Sequence, residues 1–242
     1  MMISKQLRVL AAMAVLLCAA SCVKKDAESG AAGAAAPAGE SQPFELARVQ
    51  FEQNATDGDV EVVFEAQAGV EGLASLVVKG PDGRTAVNVT APDTSTMGIR
   101  QFRYESPETK DAASLKGAYP EGAYTFTGVT VSGKRFEGSS TLSQQVPSPG
   151  AFLQPAADAE NVSVHGLMLK WSPVSDVAAY IVSIEQEELQ VSITARLSAS
   201  ATSFAVPDGF LAPGTKYIIG LGAVTKSENA TYVEAEFTTA AK

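Results

Sequence analysis

From Phe44 onward, apolar residues recur at every second position in short runs that end at glycine, proline, asparagine or aspartate. Successive side chains of an extended strand point to opposite faces, so this period of two describes half-buried strands rather than helices. The run DVEVVFEAQ sets Val60, Val62, Phe64 and Ala66 on one face. LASLVVKG and RTAVNVTA flank GPDGR, where Asp82-Gly83 marks a hairpin turn because glycine accepts positive φ. IRQFRYES places Phe102 and Tyr104 on one side and Gln101, Arg103 and Glu105 on the other. With GAYTFTGVTVSG and RFEGSSTLSQ, roughly seven strands precede Pro147, which predicts an antiparallel sandwich. SPETKDAASLKGAYP is predicted to form one short helix, with Ser106 as its cap and Pro107 in its first turn.

The chain before Phe44 follows a different logic. Lys5 and Arg8 open it, no acidic residue occurs before Asp26, and Val9 to Ala20 is an unbroken apolar run of 12 residues. A permanent membrane span needs about 20 apolar residues. A basic start, a short apolar run and small residues after it describe a secretory signal peptide. The run closes on LLCAASC, with Ala19, Ala20 and Ser21 before Cys22. This resembles the lipobox of bacterial lipoproteins, although Ala19 stands where that pattern more often has leucine. The resemblance implies that residues 1–21 are removed and that Cys22 is diacylated, becomes the new N-terminus and is acylated again. Val23, rather than aspartate, follows Cys22, which implies the outer membrane of the cell envelope rather than the inner. Residues 22–43 then hold no aromatic side chain and are rich in Ala, Gly, Ser and Pro. Such a stretch cannot offset its ordering entropy and is expected to be a flexible tether, with an r.m.s. span of about 25 Å.

Removal of residues 1–21 takes Lys5 and Arg8 from the 18 basic residues and leaves 16 against 27 acidic ones, a net charge of −11. A balance that acidic argues against nucleic acid as a partner, because affinity there comes largely from Lys and Arg neutralising phosphates. Cys18 would leave with the signal and Cys22 would carry lipid, so no disulfide is expected and stability must come from packed cores.

The second half carries a more specific pattern. GLMLKWSPVSDVAAYIVSIEQ holds Leu167, Leu169 and Trp171 in alternation, then Tyr180, Val182 and Ile184. SFAVPDGFLAPGTKYIIGLGAVTKS follows, with Pro213, Gly214 and Tyr217, and ATYVEAEFTTA closes the chain. Residues 148–242 resemble a fibronectin type III domain. The resemblance implies that Trp171 fills the centre of a two-sheet core and that Tyr217 bonds the backbone a few residues upstream at a sheet corner. YPEGAYTF leads from Pro120 and Gly122 to Tyr124 in a similar way, so Tyr124 is expected in a core or corner of residues 44–147. That first domain is immunoglobulin-like in architecture only. The join QVPSPGAFLQP is short and Pro-rich, and is expected to hold the two domains within a limited range of angles.

Candidate chemistry is sparse. His165 is the only histidine, which argues against Ser-His-Asp or Cys-His catalysis and His-rich zinc sites, and its place in SVHGLML reads as a turn. Asp57-Gly58-Asp59 supplies a fragment of a calcium loop without its later acidic positions, and reads as a tight turn. Glu185, Glu187 and Glu188 read as a solvated strand edge. No phosphate-cradling loop, CxxC, HExxH or dinucleotide fingerprint occurs. The expectation is a non-enzymatic, membrane-anchored envelope lipoprotein without cofactor or metal. Its two all-β sandwiches would meet an envelope protein or glycan through the loops near Asp57-Gly58, Val174 to Ala178 and Ser227 to Thr231, or along an unpaired sheet edge. Two alternatives are a self-associating spacer and a hydrolase with two carboxyl groups of the first domain about 5 to 9.5 Å apart.

Overall fold

A computed structural model describes residues 41–91 and 98–241. Its first half contains β1 (Gln42–Pro43), β2 (Leu46–Asn54), β3 (Asp59–Gln67), β4 (Leu73–Lys79), β5 (Thr85–Thr90), β6 (Gln101–Glu105), α1 (Ala112–Ala118), β7 (Gly122–Thr130) and β8 (Arg135–Leu142). The second half contains β9 (Phe152–Gln154), β10 (Ala159–Val162), β11 (Met168–Trp171), β12 (Ala179–Gln186), β13 (Val191–Ser198), β14 (Ser203–Ala205), β15 (Lys216–Val224) and β16 (Ala230–Thr239).

In the first half, a sheet of order β1-β8-β7-β4-β5 packs on β2, β3 and β6. The inward alternates of β3, Val60, Val62, Phe64 and Ala66, meet Leu76, Val78, Tyr124 and Phe126 in one apolar cluster. In the second half, the sheet β14-β11-β9 packs on β13-β12-β15-β16. Trp171, Tyr180, Val182, Ile184, Ile219 and Leu221 form its core. The protein is therefore all-β, with two tandem sandwiches.

The sandwiches are not merely joined by a linker. β16 pairs in parallel with β2 through Ala230↔Glu52, Thr231↔Gln53 and Tyr232↔Asn54. One sheet thus runs β13-β12-β15-β16-β2-β3-β6 across both halves, with β10 attached to β16. The two sandwiches are those expected from the sequence, and the parallel β16–β2 pair adds a main-chain connection to the expected short Pro-rich join. Parallel pairing needs no tight turn between its strands, so the sequence carries no local signal for it.

The helix departs from expectation. It begins at Ala112, and its cap is Asp111, whose carboxylate accepts from the Ser114 N–H at 2.9 Å. Ser106 is instead buried beside β3: its N–H donates to the Val62 carbonyl at 2.9 Å, and its hydroxyl accepts from the Val62 N–H at 3.0 Å. Residues committed to bonding with β3 cannot start a helix, although Ser-Pro is a reasonable local start. Among the described residues no helix is long and apolar enough to cross a membrane. Replacing Asp111 with Ala removes the cap and is expected to cost about 1 kcal/mol in urea unfolding. A Ser106→Ala change tests the corrected assignment, because it must not alter helix capping.

Candidate functional site

The join between the sandwiches gathers most of the interacting charge. Along β2, Val49 and Phe51 enter the first core while Arg48, Gln50 and Glu52 point to the other face. β3 sets Glu65 opposite Arg48 and Glu61 opposite Glu52, and β6 sets Arg103 opposite Glu65. Arg48 Nε donates to Glu65 at 2.8 Å, and its Nη1 reaches Glu228 of the second sandwich at 2.9 Å. Arg196 on β13 donates to the same Glu228 at 2.9 Å. Arg103 contacts Glu65 at 3.2 Å and Glu52 at 3.6 Å, and also bonds Glu105. Glu52 is 6 % exposed and accepts from the Gln50 amide.

Burial raises the Glu52 carboxyl above its usual range, with Arg103 pulling in the opposite direction. Glu61 is pushed up to about 8 by burial, reinforced by Glu52 and Glu105. Tyr232 of β16 is held protonated by burial first and by Glu52 second, which places its hydroxyl in the field of the first sandwich.

Polar side chains of the β15–β16 turn and of the start of β16 complete the join. Asn229 is fully buried. Its Oδ1 accepts from the Phe51 N–H at 2.9 Å, while its Nδ2 donates to the carbonyls of Ser143 at 2.6 Å and Gln145 at 2.8 Å. Thr231, also fully buried, donates to the Pro147 carbonyl at 2.7 Å. The Ala55 N–H donates to the Tyr232 carbonyl at 2.8 Å, and the Thr56 hydroxyl accepts from the Glu234 N–H at 2.8 Å. The stretch Ser227 to Thr231, read from the sequence as a partner-binding loop, is thus largely occupied within the protein. Next to it, Asp57 and Gly58 stay exposed in the turn between β2 and β3, and only the preceding Ala55 and Thr56 bond to β16.

Glu52 and Glu61 are the nearest thing to the paired carboxylates of a hydrolase. They stand side by side on one sheet face, and Glu52 is already bonded to Gln50 and Arg103. A glycosidic bond requires carboxyl groups on either side of the substrate. The arrangement balances charge and retains a proton within the join. Among the described residues no group of three or more His, Cys, Asp or Glu is placed to hold a metal ion. Asp59 is raised by burial and by Asp57.

The remaining singled-out residues lie elsewhere. Trp171 is 1 % exposed in the second core, its ring centroid 5.6 Å from that of Tyr180. The Tyr217 hydroxyl accepts from the Ala212 N–H at 2.9 Å and donates to the Phe210 carbonyl at 3.4 Å. The Tyr124 hydroxyl donates to the Pro120 carbonyl at 3.1 Å. His165 is exposed, with Nδ1 3.9 Å from Asp208. Glu187 and Glu188 are exposed between β12 and β13, and burial followed by Glu187 raises Glu185. Cys22, the signal segment and nearly all of the tether lie outside the described residues.

No protein-family model matches the chain, and no curated protein matches it. Among solved structures it is similar to the FN1–FN3 domains of chicken CNTN1, at 14% identity and TM-score 0.34, over 83% of this chain and 65% of that one. The chain therefore spans less than two thirds of that segment. It is also similar to the fibronectin(III)-like modules of Clostridium thermocellum CbhA, at 10% identity and TM-score 0.34, over 81% of this chain and 93% of that one. A segment of two fibronectin type III domains from chicken tenascin is similar at 15% identity and TM-score 0.30, over 82% of this chain and all of that one.

Proposed function

We propose that this protein is a non-catalytic envelope lipoprotein that holds a stiff, two-sandwich body off a bacterial membrane and presents it to a protein or glycan partner. The observation that carries the reading is the single sheet continuing from β16 into β2. Main-chain pairing, the Asn229 bonds and the Arg48–Glu228 contact all oppose hinging at the join. A body that does not hinge loses less freedom when a partner touches both halves, which favours binding. The edge strands β13 and β6 each have one hydrogen-bonded neighbour among the described residues, and offer main-chain groups to an added strand. The proposed attachment is the acylated Cys22, since two acyl chains already suffice for stable anchoring at about 0.8 kcal/mol per buried methylene. The outer membrane is the proposed location, with residues 22–43 as the spacer.

Double electron–electron resonance tests the stiff body. Spin labels at Val131→Cys and Leu189→Cys, both exposed positions in different sandwiches, should give one narrow distance distribution in the lipid-bound protein. A broad or two-peaked distribution would sink the reading. Palmitate labelling must disappear in Cys22→Ser, and labelling that persists excludes Cys22 as the anchor. Photo-crosslinkers at Thr194 and Tyr104 then identify what meets the two sheet edges.

A further inference from the structure

The β4–β5 hairpin, the end of α1 and the start of β7 frame an open recess of about 270 Å³ on the first sandwich. Its construction depends on close approach. A Cβ at Gly80 would lie 3.3 Å from the Tyr124 ring, and one at Gly122, where φ is 136°, would lie 2.9 Å from Pro81. Glycine at 122 lets Pro81 of the hairpin settle against β7, and glycine at 80 relieves a tight approach to the Tyr124 ring. Arg84 then spans the recess: it pairs with Asp82 on its own hairpin, and its Nη2 donates to the Ala118 carbonyl at the end of α1 at 3.2 Å. Asp82 is fixed in turn, because its Oδ1 accepts from the Arg84 N–H at 3.0 Å.

The opposite wall is aromatic. Tyr124 is buried beneath, and the half-buried Tyr119 ring packs 5.9 Å from Phe64. Tyr104 is near enough to help raise the Tyr119 phenol, after burial. Tyr104 is itself 43 % exposed and stacks on Phe102 with an interplanar angle of 7°. Tyr119 of the α1–β7 link and Tyr124 of β7 line the recess, and Tyr104 of β6 lies outside its lining. Both lining tyrosines lie in the run YPEGAYTF, where the sequence places Tyr124 in a core or corner.

We propose that this recess binds one neutral pyranose ring, the terminal unit of a glycan. The inference rests on the presenting-module reading above and narrows its partner class. A pyranose has an apolar C–H face that packs on a half-wet aromatic ring, and vicinal hydroxyls that both donate and accept. Tyr119 offers the first surface, while Arg84 and Asp82 offer a donor and an acceptor side by side. The pair is charge-balanced in a strongly acidic protein, so it selects for hydroxyls over ions. Ligand sites usually span about 300 to 1,000 Å³, and a recess just below that range suits a single ring rather than an extended chain. A proline-rich peptide needs a longer open groove, and here the Arg84–Ala118 bond closes one side.

Saturation-transfer NMR on the full lipoprotein in nanodiscs tests the assignment, with methyl β-glucoside, methyl β-galactoside and N-acetylglucosamine as probes. At least one should bind saturably, with a Kd on the order of 1 mM, as suits one small ring. Tyr119→Ala and Arg84→Gln should each weaken that sugar at least tenfold. The Arg84 side chain is exposed, so R84Q should melt with the parent and separates lost recognition from lost folding. Three results overturn the proposal: no saturation transfer from any of the sugars, binding that both variants leave unchanged, or a proline-rich peptide binding here in their place. If the sugars fail while crosslinking at Thr194 or Tyr104 identifies a partner, the presenting-module reading survives without this site. If both fail, both readings fall.

Discussion

Replacing Asn229 with Ala is expected to lower the unfolding free energy by about 3 kcal/mol, the largest effect of any single side chain in the join. The substitution removes three hydrogen bonds at one fully buried position. It strands the buried Phe51 N–H, which costs about 1 to 3 kcal/mol, and the partly buried carbonyls of Ser143 and Gln145, which cost less each because water can reach them. A water entering the vacated space recovers part of that, because the site is polar. Asn229→Asp separates the donor from the acceptor function. It keeps the acceptor for Phe51 but turns a charged oxygen toward two carbonyls, so it should destabilise at least as much. Urea unfolding gives the numbers, and the spin-label distance between Val131→Cys and Leu189→Cys should broaden in both variants. A loss below about 1 kcal/mol with an unchanged distance would show that the parallel strand pair holds the sandwiches without Asn229.

The strands themselves were legible because each obeys a local rule. β3 alternates Val60, Val62, Phe64 and Ala66 inward, and β12 does the same with Tyr180, Val182 and Ile184. The join obeys no local rule. Along β2, Arg48, Gln50 and Glu52 fall at the polar alternates, which in a half-buried strand usually meet water, yet Gln50 and Glu52 are buried. What changes their meaning is a strand about 180 residues away, which brings Glu228 to Arg48 and Tyr232 beside Asn54. The polar stretch Ser227 to Thr231 misleads for a related reason. Asn and Thr suit exposed turns, but equally satisfy main-chain groups that packing has removed from water. Ser106 shows the same conflict on a smaller scale, since its capping chemistry is used by β3 instead of by α1. The recess was hidden because the hairpin of Asp82 and Arg84 that faces Tyr119 and Tyr124 lies in a separate stretch of the chain.

Glu61 gives the join a pH dependence with a definite sign. It stands directly opposite Glu52, and Glu105, Glu108 and Arg103 also act on it. In the folded protein its carboxyl keeps a proton up to about pH 8, against an ordinary value of 4.5 in the unfolded chain. Between those values the folded state binds more protons than the unfolded state, so stability must fall as pH rises. The contribution is fully present below about 4.5 and lost above about 8. Each tenfold gain in proton affinity on folding is worth about 1.4 kcal/mol, but Glu61 is only partly buried and solvent screening reduces its share to about 2 kcal/mol. Glu61→Gln keeps the size and the neutral form of the side chain while removing the titration. It should match the parent near pH 4.5 and exceed it by about 2 kcal/mol at about pH 8.5. Burial also raises Glu52 and Glu234, which leaves a shallower slope of the same sign in the variant. Urea unfolding at about four pH values across that window decides the matter. Parallel profiles for the two proteins would mean that Glu61 ionises freely in the folded state and that the join tolerates both charges.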